Sequence, residues 1–77
     1  MTNQDAVKLI LAEIYSAETK HPHWPKDTIH AASIVCEESG ELIRAALQLE
    51  YEDGIKDAVL IEAIQTAATC IRLIKNI

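Results

Sequence analysis

Apolar residues recur along this chain at spacings of three and four, the period of a helix buried on one side. Val7, Ile10, Ile14 and Ala17 form one stripe and predict a first helix from about Asp5 to Thr19, with Lys8, Glu13 and Ser16 off the stripe and Thr2 or Asn3 as its cap. It must end before the segment Lys20-His21-Pro22-His23-Trp24-Pro25-Lys26, because each proline disfavours helical geometry in the residue before it. Asp27 is a good N-cap for a second helix from Thr28 to about Glu52, which stops at the turn signal Asp53-Gly54. Gly40 lies inside that helix at a cost of about 1 kcal/mol relative to alanine, so either the backbone of another helix or a ligand approaches closely there or the glycine is simply tolerated.

The third helix, from about Ile55 to Lys75, has an unusual wheel. Val59, Leu60, Ala63, Ala67, Cys70, Ile71 and Ile74 make one broad apolar face, Ile61 and Ala68 fall outside it, and Glu62, Gln65, Thr66, Thr69 and Arg72 form a narrow polar strip. A helix apolar nearly all round is normally buried. Three helices cannot easily bury it alone, and a chain of 77 residues hides only about 60% of its unfolded surface. The expected fold is therefore all-α, a single domain over residues 1–77 whose three helices complete a bundle by homo-oligomerisation. Dimer and tetramer both satisfy that argument, and the polar strip of the third helix is expected to face the second.

Charge narrows the function classes. The net charge is −5 and no run of Lys or Arg occurs, which excludes the counterion-release mode of nucleic-acid binding. An anionic small molecule stays open if a divalent metal inverts the local field. Cys36 and Cys70 lack metal or redox spacing, no secretory signal precedes them, and both read as reduced core thiols of a cytoplasmic protein. No apolar run reaches the roughly 18 residues a membrane span needs.

The chemistry concentrates in Glu37-Glu38-Ser39-Gly40-Glu41 and, about twenty residues on, Glu62. At about 100° per residue, Glu38 projects among Ile34, Leu42 and Ala45, inside the apolar arc, with Glu41 at its edge and Glu37 toward the polar side. Burying ionised groups of one sign costs several kcal/mol each unless they are paired or coordinated. Oxygen ligands from two helices suit Mg²⁺, which keeps several waters and binds through substrate phosphates. Lys20, His21, His23, Lys26 and His30 cluster in and after the linker, and Arg44 and Arg72 lie toward the acidic strip, as phosphate-facing cations would. Trp24, between two prolines, is either a stacking platform for a base or a plug closing the bundle.

Glu37-Glu38-x-x-Glu41 followed by Glu62 on the next helix resembles the EExxE…ExxD signature of the MazG-like, all-alpha NTP pyrophosphohydrolases. Lys20-His21-Pro22-x-Trp24-Pro25 and Glu62-Ala63-Ile64-Gln65-Thr66 are similar to the small, phage-type branch of that group. The resemblance implies a helical bundle assembled from subunits and Mg²⁺-dependent (or Mn²⁺-dependent) hydrolysis of a nucleoside triphosphate to the monophosphate and pyrophosphate. It implies that Glu38, Glu41 and Glu62 are metal ligands and that Glu37 is a further ligand or orients water. Lys20 and His21 then join Trp24, Gln65 and Arg72 on the substrate side. Gln65 stands where the family has an aspartate, and an amide cannot serve as a general base. That substitution leaves a second class in view, a helical nucleotide-binding or protein-interaction module without turnover.

Overall fold

The computed structural model describes all residues, Met1–Ile77, as three helices: α1 (Asn3–Lys20), α2 (Thr28–Tyr51) and α3 (Lys56–Asn76). Their boundaries follow from local chemistry. The Asp5 amide donates to Thr2 Oγ1 at 3.1 Å and the Thr2 amide donates back to Asp5 Oδ2 at 3.2 Å, a reciprocal cap that starts α1 two residues before its apolar stripe suggests. Asp27 Oδ1 accepts from the amides of Ile29 and His30 at 2.8 and 3.2 Å, as expected of the cap of α2. No side chain caps α3, but Asp57 lies in its first turn and Lys75 in its last, the placement the helix dipole favours. No helix is long and apolar enough to cross a membrane.

The turn after α2 divides its work between two residues. Asp53, with φ 58°, adopts the left-handed conformation that short polar side chains tolerate, and the Gly54 amide then donates to the Gln48 carbonyl at 2.7 Å. Gly54 is needed for space rather than for its own dihedral. A Cβ there would sit 2.7 Å from Gln48 C and Leu49 N. Gly40 is the opposite case: a Cβ on it would meet nothing within 4 Å, so no close approach at this glycine is made within the chain.

α3 packs against both α1 and α2, and those two do not pack against each other. Only Ile14, Ala31, Ala45, Ala68 and Arg72 are buried. The helix wheel of α3 therefore needs correcting. Ala68, outside the broad apolar face, is the most deeply buried residue at 1% exposure, whereas Leu60 and Ile74 of that face are 40% and 69% exposed. α3 turns its polar strip and Ala68 toward the neighbouring helices, while most of its broad apolar face is only half-buried. The threonines of the strip are satisfied by their own helix, Thr66 Oγ1 donating to the Glu62 carbonyl at 2.7 Å and Thr69 Oγ1 to the Thr66 carbonyl at 2.9 Å, so they enter the packed side without orphaned hydroxyls. The cysteines also depart from expectation. Cys36 is exposed and Cys70 half-buried, both as free thiols, because Cys36 lies on the side of α2 turned away from α3.

Gly54→Ala should lower the stability of the protein by about 1–3 kcal/mol, since the added methyl meets backbone that cannot move without opening the end of α2. Urea denaturation followed by circular dichroism measures this.

Candidate metal centre

Glu38 and Glu41 project from α2 one helical turn apart, and Glu62 projects from the first half of α3 to meet them. One carboxylate oxygen from each lies within 4.8 Å of the others. Glu38 and Glu62 are half-buried and Glu41 is exposed. No cation answers this cluster, because the only salt bridge in the chain joins Lys75 Nζ to Glu18 Oε2 at 2.8 Å, between α3 and α1. The acidic face is therefore not ion-paired to Arg44 or to any other base. Glu38 Oε2 and Glu62 Oε2 are buried without a hydrogen-bond partner, an arrangement that costs stability unless something supplies positive charge or a proton.

Electrostatics record the same imbalance. Burial pushes the Glu38 carboxyl above the ordinary carboxylate value, and the charges of Glu41, Glu62, Glu13 and Glu37 push it further. Glu62 is raised first by burial, then by the charge of Glu41 and by a hydrogen bond shared with the Glu41 carboxyl. Two of these groups thus hold protons more readily than solvated glutamates. A hard cation fits the donor set, which offers only carboxylate oxygens. Glu37 is exposed and outside the group of three.

Beside the cluster a cleft of about 380 Å³ runs between α1 and α2 with α3 as its floor, and Glu38 is the member of the cluster that reaches into it. Lys20, His21, Trp24, Gln65 and Arg72 all line this cleft, so the structure gathers every proposed substrate-side residue into one place. Arg72 is the surprise. It is 6% exposed, its Nη2 donates to the His21 carbonyl at 2.7 Å, its guanidinium carbon stands 4.8 Å from the centre of the Trp24 ring, and its Nε has no partner. One arginine on α3 thereby pins the linker and holds one face of the indole. Trp24, half-buried, is a cleft wall backed by that guanidinium.

Glu13 and Ser16 also line the cleft, although the stripe of α1 leaves them on its polar side. Being off the stripe was the only signal they carried. The polar side of α1 faces a second polar surface instead of open water. Lys26, His30 and Arg44 do not line the cleft.

Fold and site together define a class: a small all-α protein with a two-helix carboxylate cluster opening into a cleft walled by basic and aromatic residues. No protein-family model, no curated protein and no solved structure matches the chain.

With chelator present, the thermal midpoint should fall as pH rises. The folded-state values of Glu38 and Glu62 lie above the ordinary 4.5, so between 4.5 and those values the folded chain holds more protons than the unfolded one, and stability is lost as they dissociate. Glu38→Gln should flatten the trend, and differential scanning calorimetry from pH 4.5 to 7.5 reads both.

Proposed function

We propose that this protein is a Mg²⁺-dependent nucleoside triphosphate pyrophosphohydrolase that works as a homo-oligomer, with Glu38, Glu41 and Glu62 holding the metal. The observation carrying this reading is that three carboxylates with no cationic partner, two of them with a buried orphaned oxygen, adjoin a cleft lined by Lys20, His23 and Arg72. Glu38, Glu41 and Glu62 would hold a divalent ion that draws a polyphosphate to the site, and the basic wall would neutralise the rest of its charge. When bound, Mg²⁺ would supply Lewis-acid polarisation of the phosphoryl oxygens and neutralise developing charge.

The remaining work falls to the chain itself. Lys20 and His21, at the end of α1, approach the cleft from solvent and can move with an entering anion. Arg72 cannot move in this way, since its Nη2 and ring face are engaged, and it adds a fixed positive charge to the wall of the cleft. Trp24 offers an indole surface for a base, held rigidly between Pro22 and Pro25. Gln65 can hydrogen-bond a water but cannot take its proton, which leaves Glu37 or Glu41 as the base. Orienting water and neutralising charge, rather than covalent chemistry, is what phosphoryl transfer asks of a protein.

A second reading, a nucleotide-binding or interaction module without turnover, is favoured by Gln65 alone. Both are decided by measuring pyrophosphate release from a panel of standard and modified dNTPs with Mg²⁺ or Mn²⁺. Turnover is expected for at least one substrate, and Glu38→Gln should reduce kcat/KM by at least about 100-fold, while Gln65→Asp should raise kcat. No turnover across the panel, together with a nucleotide-dependent rise in thermal stability, selects the second reading. Unchanged turnover in Glu38→Gln overturns the assigned site. Mg²⁺ at about 100 times its dissociation constant should add about 2.7 kcal/mol of stability.

A further inference from the structure

α2 carries two apolar seams. One, through Ala31, Ile34, Val35, Leu42 and Ala45, faces α3 and is buried or half-buried. The other runs through Ile29, Ser33, Cys36, Gly40, Ile43 and Leu47, all exposed. At about 100° per residue the two seams lie about 170° apart. The outer one alternates spacings of four and three without a break and carries no charge over its whole length, as the contact line of two packed helices does. Its members have no use within the chain: Ile29, Ile43 and Leu47 are 81%, 62% and 50% exposed, and the mid-helix Gly40 faces open space.

We infer that this seam of α2 docks against the same seam of a second copy, antiparallel and related by a two-fold axis. This rests on the homo-oligomeric part of the proposed function and names the surface that forms it. Area supports a second copy. A compact monomer of 8.5 kDa exposes about 4,650 Å² by the usual size scaling. This chain exposes 5795 Å². The excess, about 1,100 Å², exceeds the roughly 800 Å² that each partner contributes to a standard interface.

Volume supports antiparallel self-pairing. The first half of the seam ends in the small residues Ser33 and Cys36, and the second half holds the large Ile43 and Leu47. A two-fold axis perpendicular to the helix sets Ser33 against the partner's Ile43, Cys36 against the partner's Gly40 and Ile29 against the partner's Leu47, so large meets small toward the middle. Parallel pairing would stack Ile43 on itself and leave Ser33 and Cys36 facing a void. Ser33 can be covered without loss, because its hydroxyl already donates to the His30 carbonyl at 2.7 Å. Gly40 then has its reason, as the point of closest helix approach.

Sedimentation velocity on the full chain, with thiol cross-linking, tests the assignment. The wild type should sediment as a dimer or larger, and Ile43→Glu should weaken association at least about 100-fold by burying an unpaired charge, whereas Leu11→Glu, on the exposed side of α1, should leave it unchanged. Since Ile43 and Leu11 are 62% and 56% exposed in the chain, neither change threatens its fold. Gly40→Cys places a thiol opposite the partner's Cys36 and should give a covalent dimer on mild oxidation that Cys36→Ser prevents. A monomeric wild type overturns the assembly reading along with the seam. An oligomer that survives Ile43→Glu, or that dissociates in Leu11→Glu, overturns the seam alone, as does a Gly40→Cys variant that fails to cross-link.

Discussion

α3 is the one element that both other helices touch, and the contents of its inward side decide the character of the molecule. That side carries Ala68, small enough for close packing, between polar residues on the turns before and after it. The small residue allows the helices to approach, and the polar ones prevent the approach from producing an ordinary apolar core. Gln65 on one side of Ala68 and Thr69 and Arg72 on the other thus become the floor of a groove, and α1 and α2 are held apart across it.

Within that groove two charges are handled differently. Arg72 is buried but largely satisfied, with a carbonyl and an indole face supplied by the linker it restrains. The carboxylates of Glu38 and Glu62 are partly buried and unsatisfied, and they repel each other and Glu41. A structural charge in a small protein resembles the first case, because leaving a buried ion unpaired costs more than its neighbours can return. The second case is what the proposed metal site would answer. Perturbed carboxylates beside a cleft are a recognised mark of functional sites for this physical reason.

Much of this could be read from residues alone, and the failures have a common origin. The cap at Asp27, the prolines of the linker and the stop at Asp53-Gly54 are local chemistry, and local chemistry sets helix ends. The union of Glu38 and Glu41 with Glu62 was legible because one carboxylate fell inside an apolar arc and another lay on a polar strip of a neighbouring helix. Ala68, Glu13 and Cys36 were misplaced because a helical wheel ranks faces by polarity. Which face is covered depends instead on where the other helices stand. Arg72 lines the cleft, yet its bond to the His21 carbonyl spans fifty-one residues of chain, and no pattern within a single helix encodes such a contact.

The exposed apolar surface and the strained acidic cluster bear on each other. A chain with only five buried residues has little apolar burial against which to set the cost of desolvating like charges, and at its size the net stability of folding is small. Raised carboxylate affinities for protons reduce that cost at low pH, when the groups are neutral, but not at the pH where they would act as ligands. A divalent cation held as proposed would lower that cost directly, and a second copy covering the outer seam of α2 would do so indirectly by stabilising the helix from which Glu38 and Glu41 project. Because both would act on the folded state only, their contributions would reinforce each other through linkage, and the ionised cluster would persist best with the assembled form and the cation both present.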